Sequence, residues 1–215
     1  MSVQAFVLDS VHADSKVLDV GCGGGGISQL LLSEKKCEVW GVEPNKNASK
    51  VAESRRLKVF NGTLEEFVSD KANCHKFQYV LLTDVLEHLY DPLDALEKMS
   101  TTLIPSGKLI LTVPNVAHWK IRLSLLFGRF DYTKSGLMDY THIRWFTKKS
   151  LKQVLKEAGY NVESIKYTLG SWLFPYSLLP QRLRPLVFGP LVYLWPSFFG
   201  CQICVVAQNG NSSNE

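Results

Sequence analysis

The densest chemistry in this chain is a glycine run behind a carboxylate, Asp19-Val20-Gly21-Cys22-Gly23-Gly24-Gly25-Gly26. Glycines there let the backbone turn tightly and let a ligand approach main-chain atoms that a Cβ would block. Gly21, Gly23 and Gly26 alone satisfy the G-x-G-x-x-G spacing of a dinucleotide loop. Glu43, at the end of the next apolar run, is placed to accept hydrogen bonds from ribose hydroxyls of more than one nucleotide cofactor. Asp19 separates the possibilities, because a negative charge just before the first glycine repels a pyrophosphate and favours an ammonium or sulfonium ligand. The bland alternative, a glycine-rich turn that binds nothing, would cost backbone entropy with no packing return.

Three histidine-bearing or acidic groups stand further along. His88 is the first candidate base, since imidazole is the side chain whose unperturbed pKa of ~6.5 suits taking a proton at neutral pH, although a helix-start histidine satisfied by local hydrogen bonds would look the same. Asp84, Glu87 and His88 converge if that stretch is helical, as one turn separates the first from the other two. Asp139, His142 and Arg144 place an acid, a second candidate base and a fixed cation beside Trp145 and Phe146, a mixture that positions a polar acceptor. An Asp139–Arg144 pair bracing a loop is the competing structural reading.

Short apolar runs alternating with helical patterns must position these groups, and they predict a mostly parallel sheet with helices on both faces. Strands are expected at Lys16–Val20, Cys37–Val42, Lys58–Phe60, Phe77–Leu82, Lys108–Val113, Val162–Thr168 and Gln202–Ala207, seven in all. Helices are expected over Ile27–Lys36, Asn45–Arg55, from Asp91-Pro92 onward, and over Lys148–Ala158 before Gly159. Pro105-Ser106-Gly107 reads as a turn, and Asn209–Glu215 as a flexible polar tail. Residues 1–208 therefore read as one domain, with substrate-side insertions at about 115–147 and 169–200.

With the elements in place, Val17-Leu18-Asp19-Val20-Gly21-Cys22-Gly23 resembles the first motif of class I S-adenosylmethionine-dependent methyltransferases. Gly41-Val42-Glu43-Pro44 is similar to that family's ribose-binding strand end, and Thr63 stands where the adenine-side loop usually carries an Asp. Thr83–Leu89 and Leu103-Ile104-Pro105-Ser106-Gly107 followed by Pro114-Asn115 also match in order, so the resemblance runs from about Ser15 to Tyr160 and includes the last strand. It implies a Rossmann-like seven-stranded sheet whose last strand is antiparallel, from the branch that includes ubiquinone- and methionine-biosynthesis methyltransferases.

The same resemblance implies S-adenosyl-L-methionine held by Asp19, Gly21, Cys22, Gly23, Gly25, Glu43, Pro44, Thr63, Leu64 and Thr83. Asp139, Arg144 and Asn115 are then expected to contact the acceptor, with His88 and His142 as bases. A segment like Asp84–His88 holds a divalent metal in some ubiquinone-biosynthesis O-methyltransferases and small-RNA 2′-O-methyltransferases; the leading expectation here is a site without metal. Methyl transfer to a small-molecule acceptor, at a hydroxyl oxygen, is the function implied. A non-catalytic adaptor on the same fold and an NAD-dependent oxidoreductase are the alternatives.

Composition sets the outer limits. The 215 residues are 46% hydrophobic and 20% charged, with a net charge of +4 and scattered cations, which fits a globular domain and gives no nucleic-acid footprint. Five cysteines at irregular spacing make no disulfide framework, and Cys201 and Cys204 read as core thiols. No signal peptide is visible, so a cytoplasmic monomer or homodimer is expected. Leu186–Gln208 lacks charge and follows Arg182 and Arg184, but Gly189-Pro190, Pro196 and Gly200 break it and the last strand uses its end. A hydrophobic subdomain over the substrate pocket is expected instead, touching a membrane surface through Trp172, Phe174, Trp195 and Phe199 or making a dimer contact, with a lipid-linked or sugar-containing acceptor.

Overall fold

The computed structural model describes residues 1–70, 76–169, 180 and 182–210. Seven strands are present: β1 (Lys16–Val20), β2 (Glu38–Val42), β3 (Lys58–Phe60), β4 (Phe77–Thr83), β5 (Leu103–Pro114), β6 (Tyr160–Tyr167) and β7 (Gln202–Asn209). They form one sheet in the order β3-β2-β1-β4-β5-β7-β6. Pairing is parallel from β3 across to β5, while β7 runs antiparallel to both β5 and β6. The near-continuous burial of β1, β4 and β5 follows from their Val- and Leu-rich runs, which suit strands covered on both faces.

The helices are α1 (Val3–Ser10), α2 (Gly26–Lys35), α3 (Lys46–Ser54), α4 (Leu64–Ser69), α5 (Pro92–Thr102), α6 (Trp119–Leu126), α7 (Lys148–Glu157), α8 (Arg184–Leu194) and α9 (Pro196–Phe199). One core layer packs Phe6, Val7, Leu31 and Ala52 of α1–α3 on the sheet, and the other packs Phe67, Leu96, Met99, Leu151 and Leu155 of α4, α5 and α7. Helix starts obey local chemistry. Asn45 accepts from the amides of Asn47 and Ala48, and Asp91 does the same for Leu93 and Asp94 ahead of Pro92.

Several expected boundaries move, each for a physical reason. Pro105-Ser106-Gly107 is not a free turn: β5 starts at Leu103, and its register against β4 jumps from Phe77–Leu103 to Tyr79–Lys108, so the segment is an outward bulge of the strand. Proline has no amide to give the ladder, and a bulge removes the need for one. Gly189-Pro190 does not break α8, which continues through Pro190 to Leu194. Asn209 closes β7, its side-chain amide donating to the Ser100 carbonyl at 3.1 Å, instead of opening the tail. Residues 211–215 lie outside the described residues, as do Trp172 and Phe174. Helices α1, α4, α6, α8 and α9 have no counterpart among the helices expected from the sequence. Among the described residues, no helix is long and apolar enough to cross a membrane.

The strand order reverses between β1 and β4, with β2 and β3 on one side and β5 on the other. The loops beyond the carboxyl ends of β1, β2, β4 and β5 therefore open on a common crevice. Because β7 is antiparallel, its first residues reach the same edge, opposite Pro114.

Candidate active site

The glycine loop leaves β1 with Gly21, Gly23 and Gly25 all at positive φ. Gly25 needs that freedom twice over, since it starts α2 at φ +75° and a Cβ there would collide with the Leu57 side chain. Gly23 is different: at φ +53° a Cβ would meet nothing within 4 Å, so the backbone faces open space in which a ligand can lie against it. The Gly23 amide donates to Glu43 Oε2 at 2.8 Å, and the Asn45 amide donates to Glu43 Oε1 at 2.8 Å. Glu43 thus ties the glycine loop to the start of α3. It is 8% exposed.

Asp19 lies beneath the loop, 2% exposed. Its Oδ2 accepts the Ser28 hydroxyl at 2.5 Å, while Oδ1 has no partner among the described residues. Burial pushes the Asp19 carboxyl up to about 6, the Ser28 hydrogen bond opposing and the nearby Glu43 charge adding to the shift. Cys22 packs its sulfur toward Gly41 of β2, and burial raises its thiol to about 12, so the side chain serves packing and the backbone the loop. Thr63 caps α4 by accepting the Glu66 amide at 3.2 Å, with Leu64 buried behind it. Pro44 is exposed at the crevice edge and Thr83 half-buried at the end of β4.

A cavity of about 410 Å³ lies alongside, lined by Asp84, Glu87, Pro114, Leu137, Asp139, His142, Thr168, Cys201 and Gln202 together with Ser2 and Val3 of the N-terminal segment. Val85, next in the chain to Asp84 of that lining, packs so closely on Gly21 of the glycine loop that a Cβ there would collide with it. Asp84 follows β4 at φ +56°, and its Oδ1 accepts from Thr112 Oγ1 at 3.0 Å and Gln202 Nε2 at 2.8 Å. A turn of 3₁₀ helix at Leu86–His88 then drives Glu87 inward and His88 outward.

Loop residues 137–145 fold back over that turn. The Ile143 and Arg144 amides both donate to the Glu87 carbonyl, at 2.9 and 3.0 Å. His88 Nδ1 lies 3.1 Å from the Thr141 carbonyl and His142 Nδ1 3.3 Å from that of Leu137. A carbonyl only accepts, so in each ring Nδ1 carries the proton and Nε2 is left as the basic nitrogen. The two rings meet edge to face at 4.9 Å. His142, 8% exposed, is held below the ordinary imidazole range chiefly by burial.

Glu87 is 1% exposed, and neither carboxylate oxygen has a hydrogen-bond partner among the described residues. Its Oε1 stands 4.0 Å from His142 Nε2. Burial pushes the Glu87 carboxyl up to about 8, the closeness of its own backbone amide opposing the rise and Asp84 adding to it. A raised carboxyl pKa means the unliganded fold keeps the proton longer than the unfolded chain. Stability is then full below the ordinary value of 4.5 and falls as the pH climbs through about 8. Glu87→Gln, neutral throughout, should flatten this dependence and gain about 1–3 kcal/mol above pH ~8. Urea unfolding at acidic and alkaline pH checks it, and an unchanged pH slope would assign the loss to other groups.

Not every expected contact reaches the cavity. Asn115 is fully buried, its amide donating to the Ser197 and Gly200 carbonyls at 3.0 and 2.8 Å and its oxygen accepting from Ala117, so it staples the first insertion to α9. Arg144 clasps the Tyr90 carbonyl through Nε at 3.1 Å and through Nη2. Asp139 lines the cavity and accepts from both the amide and hydroxyl of Thr141, which lower its pKa. Gln202 was missed by sequence reasoning. Its signal was available, because an antiparallel last strand must begin at the active edge. Cys201 and Cys204 are buried thiols outside any disulfide, as expected, with the Cys201 sulfur 3.6 Å from His118 Nε2.

Glu43 already occupies the Gly23 amide, and with Asp19 below, a pyrophosphate would sit against two carboxylates. That disfavours a dinucleotide and suits a cationic cofactor. Residues 4–165 match the family model described as "Methyltransferase domain". The chain is a class I S-adenosylmethionine-dependent methyltransferase domain. It is 36% identical over 135 residues to the ubiquinone biosynthesis O-methyltransferase of Actinobacillus pleuropneumoniae serotype 5b (strain L20), covering 59% of this chain and 56% of that protein. To the human mitochondrial enzyme of the same name it is 26% identical over 159 residues, covering 70% and 42%. The chain thus spans about half the length of these curated relatives.

Among solved structures, an S-adenosylmethionine-dependent methyltransferase from Archaeoglobus fulgidus superposes with TM-score 0.68 at 19% identity, covering 96% of this chain and 92% of that one. Phosphoethanolamine N-methyltransferase 2 from Haemonchus contortus, solved with S-adenosyl-L-methionine, gives 0.65 at 16% identity, covering 96% and 52%. At these identities the likeness is one of fold, and the methyltransferase domain sets S-adenosylmethionine as the cofactor.

Proposed function

We propose that this domain transfers the S-adenosylmethionine methyl group to a hydroxyl oxygen of a small acceptor bound in the 410 Å³ cavity. The observation that carries the reading is His142, a buried imidazole that lines the cavity and whose Leu137 contact leaves Nε2 as the unprotonated nitrogen. In this reading the Glu43 carboxylate takes the ribose hydroxyls, and the unpartnered Asp19 Oδ1 favours the cofactor's positive end. The acceptor hydroxyl attacks the sulfonium methyl in line. The new O–CH₃ bond forms as the S–CH₃ bond breaks, S-adenosylhomocysteine leaves, and the hydroxyl proton passes to His142 Nε2. His88 packs against the edge of that ring and fixes its plane.

A divalent cation is a second reading with its own support. Glu87, His88 and His142 offer ligand atoms all within 4.8 Å of one another, and the unpartnered Glu87 oxygens are groups a cation would satisfy. Held there, it would lower the pKa of the acceptor hydroxyl. Thermal unfolding with and without Mn²⁺, on the native chain and on Glu87→Gln, separates the two readings.

A second compartment of about 240 Å³ shares Leu137 with the first and is walled by Ile121, Phe130 and Met138, with Lys120 and Arg129 beside them. It supports an acceptor with a polar reacting end and an apolar arm. The test is incubation with methyl-labelled S-adenosylmethionine and a panel of ortho-dihydroxyaryl compounds, hydroxylated sugars and primary amines, read as a one-methyl mass gain. Gain on hydroxyl compounds is expected. Gain on amines alone would overturn the oxygen assignment.

A further inference from the structure

We propose that Asn61 is a site of spontaneous deamidation, and that its conversion loosens the cofactor cradle. The chemistry at Asn61 stands on its own geometry; the loss of cofactor affinity rests on the ribose role proposed above for Glu43. Asn61 and Gly62 lie in the link from β3 to α4. An asparagine followed by glycine is open to attack by the glycine nitrogen on the asparagine side chain, because no Cβ shields that nitrogen. Asn61 is exposed, so water and hydroxide reach it. Its Nδ2 donates to the Glu43 carbonyl at 2.9 Å, and the Gly62 amide donates to the same oxygen at 3.2 Å. The attacking nitrogen and the departing one are thus held at a single atom, and reactants held together react as one molecule.

The cradle keeps this labile pair in place. A Cβ on Gly62 would stand 2.6 Å from Phe60 Cε1 and 2.6 Å from Glu66 Oε2, the oxygen that accepts the Thr63 amide in the α4 cap. Asn61 in turn ties that cap to Glu43, the residue after β2. A slower-reacting residue at either position would disturb one end of the cradle. The chain holds a second Asn-Gly pair, and its geometry is the opposite. Asn209 donates to the Ser100 carbonyl at 3.1 Å, while the Gly210 amide donates to the Gly159 carbonyl at 2.8 Å. Those reacting groups are anchored to two different oxygens, and Asn209 is buried. That pair should stay intact in the folded chain.

The reaction balances with water alone. Solvent hydroxide takes the Gly62 amide proton and the nitrogen bonds to Asn61 Cγ. The Cγ–Nδ2 bond breaks, and the departing nitrogen leaves as ammonia. Water then opens the cyclic imide at either carbonyl, giving an aspartate or its isomer with the backbone routed through the side chain. One water enters, one ammonia leaves, and nothing is oxidised or reduced. A donor 2.9 Å from the Glu43 carbonyl becomes a carboxylate, which only accepts and which repels both that carbonyl and the Glu43 side chain.

The test ages the folded chain in heavy-oxygen water at mildly alkaline pH, followed by peptide mass mapping and S-adenosylhomocysteine calorimetry. Heavy oxygen should enter at Asn61 and not at Asn209, whereas in urea both pairs should convert. The converted chain should bind about tenfold more weakly, and Asn61→Asp should reproduce that loss without ageing. Asn61→Gln, whose longer side chain closes the ring far more slowly, should lose no affinity as it ages. Circular dichroism of the aged and variant chains separates a binding loss from unfolding. An unlabelled Asn61 in the folded chain, or equal label at Asn61 and Asn209, overturns the proposal. Label at Asn61 with affinity unchanged overturns it too. The ribose reading fails separately, on native affinity in Glu43→Ala, a result that leaves the label at Asn61 untouched.

Discussion

Glu43→Ala is expected to weaken S-adenosylhomocysteine binding by about 100-fold, the equivalent of about 2.7 kcal/mol, in isothermal calorimetry. Two losses combine. The carboxylate proposed to meet the ribose hydroxyls disappears, and charge-assisted hydrogen bonds of that kind are worth ~1.5–3 kcal/mol. The Gly23 and Asn45 amides, each bonded to a Glu43 oxygen at 2.8 Å, also lose their acceptor, so the loop and the start of α3 are no longer fixed relative to each other. Glu43→Gln keeps one acceptor oxygen and should fall between alanine and the native chain. Circular dichroism separates a binding loss from unfolding. Native-like affinity in a folded Glu43→Ala protein would remove the ribose assignment.

Much of this cradle is legible in the sequence because it is local. The strand-loop-helix unit from Lys16 to Lys35 carries its own turn chemistry, and Glu43 follows at the end of the very next strand. The alternation of apolar runs and helical patterns likewise fixes a parallel sheet with one closing strand. The acceptor side resists such reading because its partners are distant in the chain. Arg144 is next to Trp145 in sequence, but its guanidinium is committed to the Tyr90 carbonyl, and Asn115 to Ser197 and Gly200. A local pattern of Asp139, His142 and Arg144 cannot say which of the three turns inward. Only the fold-back onto Glu87 and His88 places Asp139 and His142 at the cavity and leaves Arg144 as a brace.

That fold-back also separates the two candidate bases. His142 lines the cavity with Nε2 as its basic nitrogen; His88 is exposed behind it. His142→Ala should therefore lower kcat by about 10²- to 10⁴-fold, the usual worth of a positioned base, while S-adenosylhomocysteine binding stays within about twofold of native. The pH profile sharpens the prediction. Burial holds the His142 pKa below the ordinary 6.5, so the imidazole is neutral and competent at neutral pH, and the acid limb of native turnover should lie below that value. Glu87 works in the opposite direction: ionising near pH 8, it brings a negative charge to 4.0 Å from Nε2 and makes the nitrogen a stronger base as the pH rises. Glu87→Gln should keep the acid limb and lose that alkaline gain. Full turnover by His142→Ala would pass the role to His88, whose ring lies edge to face with His142 at 4.9 Å.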